Sequence, residues 1–170
     1  KTVVLLKDVE VGEADSAATG LVVSGTLTVD FNGFTVSNVG TGYAVVVSGS
    51  DAKVTLIDSS EEQTGGIYGG SGGDNQALRV ESGATLDIYG GNYNVGGDAQ
   101  GEGNSTVSIR TNSTVNIYGG RFASEKTIKA NISCSTCSRR REQAVISRST
   151  AEPLSDKTPR TATTRSAAAL

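Results

Sequence analysis

Residues Glu81 to Val95 read ESGATLDIYGGNYNV, and this stretch decides the fold. Leu86 and Ile88 fall on one side of a short strand, with Thr85, Asp87 and Tyr89 on the other, as the two-residue period of a strand requires. Gly90-Gly91 then bends the chain, and Tyr93 and Val95 resume the apolar face. A sharp bend of this kind favours glycine, because left-handed backbone costs a residue with a Cβ about 1–2 kcal/mol.

Imperfect copies lie on both sides. Ser24–Val36 reads SGTLTVDFNGFTV, Ser50–Ile57 reads SDAKVTLI, and Asn112–Phe122 reads NSTVNIYGGRF. Leu27, Val54, Leu86 and Val115 are equivalent, as are Val29, Leu56, Ile88 and Ile117; spacings in the first set are 27, 32 and 29 residues. Asn32-Gly33, Gly65-Gly66, Gly90-Gly91 and Gly119-Gly120 are expected to be equivalent corners, with Asp58–Thr64 an insertion before the second. The string IYGG occurs three times, yet Ile67–Gly70 is out of register with Ile88–Gly91 and Ile117–Gly120. Further short strands are expected in Lys1–Val11, Leu21–Val23, Tyr43–Val47, Ala77–Val80 and Thr106–Ile109.

A period between about 20 and 50 residues points to a stacked architecture. Three short strands per period, no helical periodicity and a corner glycine predict a parallel β-helix of about four to five coils. Each coil turns only about six apolar residues inward, so the core exists only once coils stack and pair with each other. At about 4.8 Å per coil the column is roughly 20 Å tall. The rival, a small antiparallel sandwich, leaves the shared register of whole periods unexplained.

The rest of the sequence sets the limits. All 22 glycines lie between Gly12 and Gly120, while both prolines and both cysteines come later. The expected division is a repeat domain of residues 1–124 and a basic, disordered tail of 125–170. The body carries 6 Lys/Arg against 14 Asp/Glu, a net of −8, and the tail 9 against 4, a net of +5. An acidic body disfavours nucleic acid, whose phosphates need Lys and Arg. No run approaches the roughly 20 apolar residues of a membrane span. The chain starts at Lys1 and has no methionine, which suggests a fragment or processed form. The tail lacks the strand pattern of the repeat, as the product of a shifted reading frame or of a truncated gene would.

The order LLKDV, TLTVDFNGFTVSN, YAVVVSG, VTLIDSS, GGIYGG, ALRVESGATLDIYGGNY, STVNIYGGRF resembles the right-handed β-helix (pectin-lyase-like) repeats of large bacterial cell-surface and adhesin-type proteins. It covers Lys1 to about Phe122. The resemblance implies a right-handed parallel β-helix at an extracellular or cell-surface location, serving as a stalk, display or adhesion module. Some β-helix relatives cleave polysaccharides.

No residue set amounts to a catalytic site. There is no histidine, and Arg79, Arg110 and Arg121 sit in different coils. Asp30 and Asp87 are expected as outward carboxylates at one register, two coils apart. That is near the limit of the 5–10 Å that glycoside chemistry needs, so solvated strand-face carboxylates are the expectation. Gly69–Asp74, GGSGGD, matches the start of a calcium-binding nonapeptide, but occurs once and reads as a loop. Cys134-x-x-Cys137 lacks the second ligand pair of a zinc site, so neither metal nor cofactor is expected. Asn104-Ser105-Thr106, Asn112-Ser113-Thr114 and Asn131-Ile132-Ser133 fit a glycosylation pattern and read as turn chemistry. Tyr89 and Tyr118 face outward at one register with Ile57, as a cross-coil ladder or a stacking surface for sugar rings. With Asp87 they are the ligand-facing candidates. Glycans or other cell-surface polymers are the expected partners, and the end coil near Phe122 offers an uncapped edge for self-association. The expected function is a non-catalytic display or adhesion module; the alternative is a carbohydrate-binding or polysaccharide-processing β-helix.

Overall fold

Short alternating segments become strands that stack coil on coil in the computed structural model, which describes residues 1–13, 20–70, 75–95, 105–110, 112–124 and 132–134. The first coil holds β1 (Thr2–Val4), β2 (Val9–Val11) and β3 (Leu21–Val23). The second holds β4 (Thr26–Asp30), β5 (Thr35–Asn38) and β6 (Tyr43–Ser48). The third holds β7 (Lys53–Ile57), β8 (Gly66–Gly69) and β9 (Gln76–Glu81). The fourth holds β10 (Thr85–Ile88), β11 (Asn92–Val95) and β12 (Ser105–Ile109). β13 (Thr114–Ile117), β14 (Arg121–Ser124) and β15 (Ile132–Cys134) close the series. No helix occurs among the described residues.

Every third strand pairs, always in parallel. The result is three five-stranded sheets, β1-β4-β7-β10-β13, β2-β5-β8-β11-β14 and β3-β6-β9-β12-β15. The fold is a parallel β-solenoid. The chain divides into one compact unit of Lys1–Ser138 and a second of Arg139–Leu170, which lies outside the described residues. β15 pairs with β12, Val107 opposite Ile132. One strand of the solenoid therefore lies beyond 124, where the tail was expected to begin.

The register of the first sheet follows the sequence. Leu27 pairs with Val54, Val54 with Leu86 and Leu86 with Val115; Val29, Leu56, Ile88 and Ile117 form the neighbouring row. The second sheet contributes the row Val9, Val36, Ile67, Tyr93 and Phe122. The third contributes Leu21, Val45, Leu78 and Val107, and beside it Val23, Val47, Val80 and Ile109. Leu56, Leu86, Ile88, Ile67, Leu78 and Val80 are buried in one cluster. Each fully buried side chain of this size contributes about 1.5–3 kcal/mol. Val3 pairs with Val29, yet stays 43 % exposed, because an end coil is covered on one side only.

The corners differ from the expected alignment. Gly66 pairs with both Thr35 and Asn92, so Gly65, not Gly66, is the counterpart of Gly91. Asn32-Gly33 is displaced the other way, one residue earlier than Gly90-Gly91. Only Gly90-Gly91 and Gly119-Gly120 coincide as expected, since Asn92 pairs with Arg121. The glycines also serve different ends. Gly91 has φ +95°, left-handed backbone that a Cβ disfavours. At Gly66 the constraint is space: a Cβ there would lie 1.9 Å from the backbone oxygen of Asn92 in the next coil.

Candidate functional site

Tyr89 and Tyr118 each follow a strand of the first sheet, and their backbone N–H groups extend its ladder to Leu56 O (2.9 Å) and Ile88 O (2.8 Å). This register places one ring over the other. The centroids are 4.5 Å apart and the planes 13° from parallel, and the two residues are 54 % and 63 % exposed. Stacked aromatic pairs contribute about 0.5–1.5 kcal/mol beyond burial. Because the rings stack along the coil axis, they turn edges outward. One face of Tyr89 is taken by Tyr118, and Ile57 is the preceding member of the row. The arrangement suits a ladder better than a platform for a sugar.

Asp87 is half-buried and accepts a hydrogen bond from Asn116 Nδ2 at 2.8 Å. Its row is Thr28, Thr55, Asp87 and Asn116. Asp30 does not belong to it: Asp30 pairs with Ile57 and so leads the tyrosine row. Nor is Asp30 a solvated outward carboxylate. It is 8 % exposed, and its Oδ1 accepts from Asn32 N (3.0 Å) and from Ser59 N in the next coil (2.9 Å). Strand alternation fails here because the chain is already turning. Desolvation pushes the Asp30 pKa up, but hydrogen bonds from the Ser59 side chain and backbone and from Asn32 outweigh it, and the net shift is downward.

Asp30 belongs to a column of polar side chains at the corner between the first and second sheets. Asp8 Oδ1 accepts from Thr35 N (2.8 Å) and Oγ1 (3.0 Å). Asn32 Nδ2 donates back to Leu5 O at 3.2 Å. Asp58 does most: Oδ1 accepts from Gly33 N (2.9 Å), Ser60 N (3.2 Å) and Ser60 Oγ (2.8 Å), and Oδ2 from buried Gly65 N (2.7 Å). Gln63 Nε2 donates to Asp58 O and Ser60 O, and Asn92 Nδ2 donates to Gln63 O at 2.7 Å. Four successive coils are joined. The segment Asp58–Thr64, which the sequence marks only as an insertion, is the centre of this column. An Asp closing a strand just before a turn, as in Asp30 and Asp58, was the available signal.

Beneath the corner, Tyr93 is fully buried. Its hydroxyl donates to Gly90 O at 2.8 Å. Its ring meets Phe31 edge-on at 6.2 Å and stacks on Phe122 at 4.9 Å. Burial, and then the negative charge of Asp58, push its phenol pKa well above the usual range.

The arginines do not converge. Arg79 pairs with Glu81 (2.6 Å), donates to the Tyr43 hydroxyl and lies 4.6 Å from that ring's centroid. Arg79 aligns with Ser108, and Arg110 lies just past Ile109, its N–H donating to Val80 O. Arg121 is on the second sheet. Among the described residues no group of three or more His, Cys, Asp and Glu side chains is placed to hold a metal ion. Of GGSGGD, residues 71–74 lie outside the described residues, as do Asn104, Asn131 and Cys137. Asn112 sits in a turn with φ 63°. No helix is long and apolar enough to cross a membrane among the described residues. No family model, curated protein or solved structure matches the chain; what stands is a parallel β-solenoid with a hydrogen-bonded polar corner.

Proposed function

We propose that this chain is a non-catalytic structural module of an extracellular bacterial surface protein, built to display its outer faces or to adhere through them. One observation carries the reading. Asp30 and Asp87, the candidate carboxylates, and with them Asp8 and Asp58, each accept a hydrogen bond from a neighbouring coil. A carboxylate already serving as a fixed acceptor between coils is poorly suited to shuttle protons, which needs a group free to bond the reacting atoms. The surface location rests on the resemblance of the repeat to β-helix regions of bacterial surface and adhesin-type proteins.

The test is a panel of acidic and neutral polysaccharides incubated with the full chain, read for chain cleavage, alongside a glycan array. A display or adhesion module leaves every polymer intact. Depolymerisation of any of them, abolished by Asp87→Asn, would overturn the reading in favour of a polysaccharide-processing β-helix.

A further inference from the structure

The outer face of the second sheet carries a feature that the tyrosine row does not. Two outward columns run along it: Thr35, Gly66, Asn92 and Arg121, and beside them Ser37, Tyr68, Asn94 and Ala123. Between them lies a cavity of about 130 Å³ lined by Tyr68, Asn92, Tyr93, Asn94, Arg121 and Ala123. The β11 backbone forms its floor. Tyr68 stands at one end in the third coil and Arg121 at the other in the fifth. Two inter-strand steps separate them along the axis, roughly 10 Å, and two residues along the strand, roughly 7 Å.

The lining is chemically coherent. Arg121 is exposed and has no carboxylate partner among the described residues, unlike Arg79, which Glu81 and Tyr43 engage. Its backbone is fixed by the bond from its N–H to Gly91 O at 2.9 Å. Asn92 is held in place by the bonds from its Nδ2 to Gln63 O and Gly65 O, so part of the lining is set before any ligand arrives. Tyr68 is half-buried, which holds its ring at the cavity edge. A planar guanidinium recognises a carboxylate with two parallel hydrogen bonds. Amide side chains bond hydroxyls, and an aromatic ring packs on the apolar face of a sugar. Ala123 keeps the Arg121 end of its column low.

We infer that this cavity binds a single carboxylate-bearing sugar unit, with Arg121 on the carboxylate, Asn92 Oδ1 accepting from a hydroxyl and Tyr68 against the ring. The inference rests on the display and adhesion reading and names the ligand class and face that adhesion would use. Because the body is strongly acidic, Arg121 is the group that lets an anion approach this face.

The experiment is a ¹H–¹⁵N titration of the full chain with four probes: methyl glucuronide, N-acetylneuraminic acid, neutral methyl glucoside and acetate. The side-chain signals of Asn92, Asn94 and Arg121 are expected to shift with one or both acidic sugars and not with methyl glucoside or acetate. Which acidic sugar binds identifies its source as a uronic or a sialic acid. Arg121→Gln and Tyr68→Ala are each expected to weaken binding about tenfold or more, the factor for losing one charge-assisted contact or one packed ring. Arg79→Gln leaves it unchanged. Arg121 is exposed, so its variant keeps the fold, which a melting curve checks. Absence of shifts with both acidic sugars, equal shifts with acetate, or undiminished binding by Arg121→Gln overturns the inference. A glycan array that is positive but insensitive to Arg121→Gln sinks the cavity and leaves adhesion standing. Polymer cleavage with intact Arg121-dependent binding does the reverse.

Discussion

Replacing Asp58 by alanine removes the acceptor for four donors at once: Gly33 N, Ser60 N, Ser60 Oγ and Gly65 N. Ser60 is half-exposed and finds water. Gly33 is half-buried and finds it in part. Gly65 N is buried and loses its only side-chain acceptor, at 2.7 Å. An unsatisfied buried donor costs about 1–3 kcal/mol, and a hydrogen bond to a charged acceptor contributes about 1.5–3 kcal/mol. Counting Gly65 in full and Gly33 in part, Asp58→Ala costs about 3–5 kcal/mol. Asp58→Asn keeps one acceptor oxygen but points an NH₂ group at N–H donors, and costs about 2–3 kcal/mol. Urea unfolding followed by far-ultraviolet circular dichroism measures both, with the denaturant slope as a check that the same surface unfolds. The corner account is refuted if Asp58→Ala loses under about 1 kcal/mol at an unchanged slope, or if asparagine is no better than alanine.

Three further outcomes follow from the same geometry. The folded pKa of Asp30 is lowered, so its stabilisation is complete above the unfolded value of about 3.9 and is lost as pH falls through the folded value; Asp30→Asn should flatten the acid limb of the stability curve, and an unaltered limb would contradict this. Tyr93 is shifted the other way: the unfolded phenol ionises near pH 10 while the folded one stays protonated, so stability falls above about pH 10. Tyr93→Phe should cost about 1 kcal/mol at neutral pH and remove that alkaline slope, as urea titrations from neutral to alkaline pH would show. A double-mutant cycle on Tyr89→Ala and Tyr118→Ala should give a coupling of about 0.5–1.5 kcal/mol, with glycan binding unchanged by either. Zero coupling would dispose of the ladder.

The first sheet was readable because strand alternation and shared spacing act together: Leu27, Val54, Leu86 and Val115 each sit between two polar residues. The corner was not. Gly65-Gly66 has the same letters as Gly90-Gly91, yet Gly66 lies within a strand, where the crowding backbone of Asn92 requires it. Asp30 and Asp58 were missed as structural acceptors because alternation assigns facing only while the chain runs straight, and both sit where it bends. The stacking of Tyr89 on Tyr118 followed from register, but the outward edges of the rings depended on side-chain torsions. The cavity between Tyr68 and Arg121 was hidden for another reason. Its lining comes from three coils, with its ends 53 positions apart in the chain, and no local pattern marks it. β15 escaped notice because Ile132–Cys134 follows the last glycine corner and carries no repeat signature of its own.

The pairing scheme also governs how the molecule comes apart under load. Each strand is bonded to its counterpart about 25 to 35 residues away, so a pull on one terminus works on one coil at a time, as on the end turn of a spring. Each coil removed bares another row of the same kind, which gives an even, stepwise resistance. The polar corner interrupts it. Bonds from Asp58, Gln63 and Asn92 join the second, third and fourth coils, so these three should yield as a block, the mechanical strong point of the column.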